Sequence, residues 1–266
     1  SIGLGGGSGV GRGRYGGAFG GRRNLVARKG RPGGATDRTQ QAVLDGLKWL
    51  ARHQNADGSW GADTRGTHCT SNPPCTPVVS DLGSTFNTGM TAVALLAFLG
   101  HGISIDSRLE LVDTVTGKRR SAGDVVRKGI KWLLAAQKPD GSFSSVTGFE
   151  FPENDTLPTM ALCEAYGLSQ NPILKDPAQA ALDFLVAAQK RNSDGQRSGW
   201  GPGSQADLTA RHEKGELKDK EFEIESKHVD PTVTCWVVMA LRSAQSCGLS
   251  VPDDVVVKTV NLALEL

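Results

Sequence analysis

The chain has 266 residues, 38% of them hydrophobic, with 30 Lys/Arg against 28 Asp/Glu. That apolar content is enough to bury a core, which excludes a wholly disordered chain. Seven of the basic residues and none of the acidic ones fall in residues 1–34, so the remainder is mildly acidic and a body built to hold nucleic acid is excluded.

Taken in chain order, residues 1–35 come first, and 14 of the 34 glycines lie in them. Glycine loses the most backbone entropy on folding, and almost nothing here offsets it, so a disordered Gly/Arg-rich linker is expected. Its arginines can meet anionic lipid, cell-wall polymer or RNA, and a solubilised tether is the simpler reading. The GxG patterns follow no strand and precede no helix, which argues against a dinucleotide loop. The chain starts at Ser1 and stops at Leu266 inside an apolar helical pattern, and is read as a piece of something longer.

The body, residues 36–266, repeats. Gly46–Trp60 reads GLKWLARHQNADGSW, Gly129–Phe143 reads GIKWLLAAQKPDGSF, and Ala181–Gln189 reads ALDFLVAAQ, followed later by Asp194-Gly195 and Gly199-Trp200. Val43, Leu47 and Leu50 match Val126, Ile130 and Leu133, an i, i+4, i+7 helix face, and Ala178, Leu182 and Leu185 continue the set. Asp37-x-x-Gln40 and Ser121-x-x-Asp124 resemble capping boxes, and Asp176-Pro177 places a cap before proline. A second, more apolar helix follows each unit, at 88–99, 156–168 and 231–244, with an Ala-Leu pair at 94–95, 161–162 and 240–241. No period-2 strand appears. Recurrent helix pairs of this kind predict an all-α array in which neighbours bury one another's faces. In each loop Gly58 or Gly141 is expected at φ > 0, the glutamine is expected to bond backbone at a neighbouring helix end, and Trp60 or Phe143 is expected to fold back onto a helix. Gln54, Gly58, Trp60, Gln137, Gly141, Phe143, Gln189 and Trp200 are therefore read as structural.

Between the first unit and its second helix lies HCTSNPPCT, with Cys69 and Cys75. A disulfide in an oxidising compartment, or plain thiols, ranks above a metal half-site with His68, because no second ligand pair is in view. Cys163, Cys235 and Cys247 sit in apolar helical contexts and read as small core residues. The stretch 191–227 is long for a loop and densely charged towards its end, and reads as a solvated insertion.

The motif [KR]-[GA]-x2-aromatic-Leu-x3-Gln-x3-Gly-x-aromatic resembles the QW repeat of squalene–hopene and other terpenoid cyclases. Lys128-Gly129, Trp132-Leu133, Gln137, Gly141 and Phe143 carry it with Phe for the final Trp, the first copy has Asp45 in place of the base, and the third is stretched. The chain is most similar in kind to the prenyltransferase/squalene oxidase repeat proteins of bacteria, especially planctomycetes. The resemblance implies an α/α toroid whose inner helices line a cavity, here three hairpins and the start of a fourth. It also directs attention to acids at inner-helix starts.

Such cyclases protonate an alkene with a D-x-D-D-T motif. Aligned on Thr232, only Asp230 survives, with His228 beside it, so Asp230 and His228 are the candidate acid pair. The competing and favoured reading makes Asp230 the cap of a helix that begins at Pro231. Asp155 reads as a second cap. Asp230 with Cys235 is the nearest approach to the zinc set of protein prenyltransferases. Phe86 and Trp236 are the cavity candidates. Only 6% of the chain is aromatic, which disfavours a carbocation cage. The expectation is a binding toroid for an apolar or isoprenoid ligand, or a protein partner, on its concave face, without a cofactor or metal, in an envelope or exported setting. A terpenoid cyclase or isomerase using Asp230 and a metal-dependent prenyltransferase-like enzyme are the alternatives.

Overall fold

A computed structural model describes residues 36–61, 69, 75, 84–113, 116–143, 152–190 and 198–255. The segment read as a linker, and His68, lie outside them. The described residues form eight α-helices and one small hairpin. In order these are α1 (Asp37–Arg52), α2 (Asn87–Gly100), β1 (Glu110–Val112), β2 (Arg119–Ser121), α3 (Ala122–Ala136) and α4 (Leu157–Ser169). They continue with α5 (Lys175–Ala187), α6 (Gln205–Glu213), α7 (Asp219–Lys227) and α8 (Pro231–Cys247).

The caps explain where helices start. Ser121 Oγ accepts the Asp124 amide at the head of α3, as the capping pattern requires. At α1 the cap is Thr36, which accepts the Thr39 amide, one residue before the expected Asp37. α5 begins at Lys175, ahead of the Asp176-Pro177 signal, because a 3₁₀ turn at Pro172–Leu174 feeds it and Asn171 caps that turn. Asp230 accepts the amides of Thr232 (2.7 Å) and Val233 (3.1 Å), and Pro231 opens α8. Gly248, at φ 82°, closes that helix in the left-handed region.

α4 packs between α2 and α8, while α3 lies against α2 and α5 against α4. The apolar faces of α1, α3 and α5 meet this central row through Leu47, Ile130, Leu133, Leu182 and Leu185. Each such side chain contributes about 1.5–3 kcal/mol when fully buried. The matched Ala-Leu pairs of α2, α4 and α8 are all buried, small next to large, which lets the three helices approach closely.

Two elements differ from expectation. β1 and β2 form an antiparallel hairpin with Leu111 opposite Arg120 and Gly117 at φ 68° in its turn. Its strands are three residues each, too short to show alternation. The charged stretch at 205–227 is not a plain loop but two short helices, α6 and α7. Ser204 caps α6 by accepting the Asp207 amide. The Glu221 carboxylate accepts the Lys218 amide at the head of α7. Cys235, read as a core residue, is exposed on α8, while Cys163 and Cys247 are buried.

Candidate functional site

The repeat glutamines close their own loops in all three copies. Gln54 Nε2 donates to the Gly58 and Val125 carbonyls, both at 2.9 Å. Gln137 Nε2 donates to the Gly141 and Pro177 carbonyls. Each glutamine thus closes its own loop and ties it to the first helix of the following copy. Gln189 Nε2 closes the third loop onto the Ser198 carbonyl. Gly58 and Gly141 have φ 101° and 88°. A Cβ there would sit 2.5 Å from the Lys128 carbonyl and 2.2 Å from that of Ala180, so only glycine lets the loop seat against the next helix. The indole N–H groups of Trp60 and Trp200 donate back to the Leu50 and Leu185 carbonyls. Their backbone amides donate to Thr91 and Thr234 hydroxyls on α2 and α8.

Asp155 takes the corresponding place in the second copy. It is fully buried in a π turn, Pro152–Thr156, and its Oδ1 accepts the Phe143 amide at 2.6 Å. It is therefore not the cap of α4. Asn154, beside it, accepts the Gly89 amide and donates to the Thr85 carbonyl, tying the turn to α2.

The chemistry at the head of α8 is sparse. Asp230 spends Oδ1 on two backbone amides. His228 is exposed, and among the described residues no hydrogen bond joins its ring to Asp230. Cys235 and Asp230 gain no third metal-capable neighbour among the described residues. Phe86 lies half-buried at the start of α2, and Trp236 half-buried on α8.

Three ionisable groups not singled out by sequence are placed within the helical body. Glu164 is buried on α4 and its Oε1 accepts the Ser243 hydroxyl of α8. Glu153, half-buried in the π turn, has its carboxyl pushed above the ordinary range by burial. Lys190 is buried and donates to the Glu225 carbonyl at 2.9 Å. Burial lowers its ammonium to about 8, against the opposing pull of Glu225 and Asp207.

Apolar side chains recur at matched positions of the three helices of the central row. The residue immediately before each Ala-Leu pair is Val93, Met160 or Met239, and three residues earlier stand Met90, Leu157 and Trp236. Met90, Val93 and Met239 are 38%, 49% and 46% exposed, and the other three are half-buried. All three methionines of the chain are in this set. The Glu164–Ser243 bond lies one turn further along α4 and α8 and fixes their register beside it.

A second cluster forms at the other end of the first hairpin. One ring nitrogen of His53 and the sulfurs of Cys69 and Cys75 lie within 4.8 Å of one another. Both cysteines are half-buried thiols, His53 is 2% exposed, and its ring stacks on Trp49 with centroids 4.0 Å apart. In the sequence the cysteines stand next to His68, and His53 reads as one more residue of the repeat.

Among the described residues no helix is long and apolar enough to cross a membrane. No family model, curated protein or solved structure matches the sequence.

Proposed function

We propose that the body is a repeat toroid of the terpenoid-cyclase and prenyltransferase type, and that its concave face holds an apolar, isoprenoid-like ligand without transforming it. On this reading residues 1–35 act as a tether. The observation that carries the proposal is the recurrence of Met90, Val93, Leu157, Met160, Trp236 and Met239 at matched positions of three adjacent helices. Monomeric proteins keep large contiguous apolar patches for binding. Methionine suits one that receives a flexible chain, because its unbranched thioether adapts to shape. The repeat resemblance supplies the ring geometry in which such positions face inward.

A cyclase using Asp230 is the less favoured reading. The carboxylate is engaged as a helix cap, and the exposed His228 is not bonded to it. The metal-dependent prenyltransferase reading has only the pair Asp230 and Cys235 to rest on. The test is titration of the full chain with farnesol and with squalene, followed through Trp fluorescence, with Met160→Lys and Met239→Lys as variants. Saturable binding lost in both variants is the expected result. Absence of binding overturns the reading, and a new lipid product that disappears in Asp230→Asn replaces it with the cyclase.

A further inference from the structure

We infer that His53, Cys69 and Cys75 form a metal site for a zinc-class divalent cation, with His53 Nε2 and the two thiolate sulfurs as ligands. The first support is geometric. Three atoms within 4.8 Å of one another need only close by about an ångström to reach the spacing of ligands around one tetrahedral zinc, whose bonds are about 2.0–2.3 Å.

The second support is the state of His53. Its Nδ1 lies 2.7 Å from the Trp49 carbonyl, a bond that requires the proton on Nδ1 and leaves the Nε2 lone pair bare. Nε2 is buried and has no hydrogen-bond partner. A buried polar nitrogen without a partner costs stability, and a cation at the cluster relieves it. The Nδ1 bond to a backbone carbonyl is also how metal-ligating histidines are commonly oriented.

Both sulfurs already receive N–H donors suited to thiolates. The Cys75 amide lies 2.9 Å from Cys69 Sγ, and the Trp49 indole N–H donates to Cys75 Sγ at 3.4 Å. A cation would displace the two thiol protons to solvent while His53 contributes only its lone pair.

The repeat provides an internal control. The residue before the repeat glutamine is Ala136 in the second copy and Ala188 in the third, but His53 in the first. The tryptophan that donates to Cys75 matches Trp132, whose indole instead donates to the Asp57 carboxylate of the preceding copy. The departure from alanine and the cysteine-bearing segment thus occur in the same copy and meet in space. Among the described residues no fourth His, Cys, Asp or Glu joins them, and these three supply three of the four ligands of a tetrahedral site.

The experiment uses the full chain purified under reducing conditions. It is titrated with Zn²⁺ and Co²⁺ alone, with metal content measured after dialysis. One metal per chain is expected, with the thiolate-to-cobalt charge-transfer band and the strong visible absorption of a tetrahedral cobalt site. His53→Ala, which installs the residue of the other two copies, and Cys69→Ser should each lower affinity by more than about tenfold. Trp49→Phe keeps the ring and loses one N–H···S bond, so it should weaken binding about tenfold. Circular dichroism establishes that each variant is folded. Three results overturn the site: no metal on the wild-type chain, undiminished binding in folded His53→Ala, or a Cys69–Cys75 disulfide in metal-free protein that persists at cytosolic glutathione levels.

Discussion

The Trp132 indole donates to the Asp57 carboxylate at 3.1 Å, joining residues 75 apart in sequence. The bond connects the loop of one copy to the first helix of the next, alongside the Gln54–Val125 bond and the close approach of Gly58 to Lys128. Burial alone would raise the Asp57 carboxyl, but bonds from the Ser59 amide, the Ser59 hydroxyl and Trp132 outweigh it and hold the carboxyl below its ordinary range. Asp140 is held low in the second loop by the Ser142 hydroxyl first, with its amide assisting against burial.

A carboxyl whose folded pKa is depressed contributes stability that is present above its unfolded value of 3.8 and is lost as pH falls through the folded value. Thermal melts of the wild type should therefore drop as pH falls below about 4. Asp57→Asn and Asp140→Asn should narrow that drop. Parallel pH profiles for wild type and the double variant would show that these loops do not report on acid.

The two loop glutamines should differ in cost. Gln54 is buried, and Gln54→Ala takes the donor from the buried Gly58 carbonyl, while the Val125 carbonyl keeps its bond within the helix, with an expected loss of about 2–3 kcal/mol. Gln137→Ala leaves partly solvated carbonyls and should cost about 1 kcal/mol. Gly58→Ala should exceed both, because a positive φ and a backbone clash act together. Urea unfolding of the three variants checks the order.

Lys190 predicts an alkaline signature. Its folded pKa of about 8 lies below the reference 10.5, so its contribution is fully present above about 10.5 and is lost as pH falls through about 8. The stability of wild type relative to Lys190→Met should therefore rise across that window by about 2 kcal/mol, allowing for partial solvent screening. Denaturant midpoints at the two ends measure it, and a constant difference would contradict the assignment.

Asp230 distinguishes cap from acid by substitution. Asparagine caps as well as aspartate, so Asp230→Asn should leave stability within about 0.5 kcal/mol, whereas Asp230→Ala should cost about 1 kcal/mol. Calorimetric melts of both variants check this. Equal losses in the two would mean that the charge, rather than the cap, is what α8 requires.

The repeats were legible because their signals are local: a helix face, a glutamine, a glycine that must turn. So was the capping role of Asp230, since Pro231 follows it directly. The cap reading of Asp155 fails because its partner, the Phe143 amide, is set by a π turn that no residue pattern announces. Glu153 and Lys190 acquire their shifts from burial, which sequence does not display. His53 carries no signal of its own in the sequence, because histidine in place of alanine in a repeat acquires meaning only with the cysteines beside it. The matched apolar positions of α2, α4 and α8 needed the side-by-side order of the helices before they could be related to one another.

The forward grip of each loop gives the array a direction. Gln54 and Gly58 hold α3, and Gln137 and Gly141 hold α5, through the same backbone contacts. A disturbance in α5 therefore withdraws the carbonyl on which the second loop rests, and a disturbance there passes back through α3 to the first. Coupling free energy acts equally in both senses, so slack in one copy should reach the copy on either side, and the three should loosen as one unit rather than one by one.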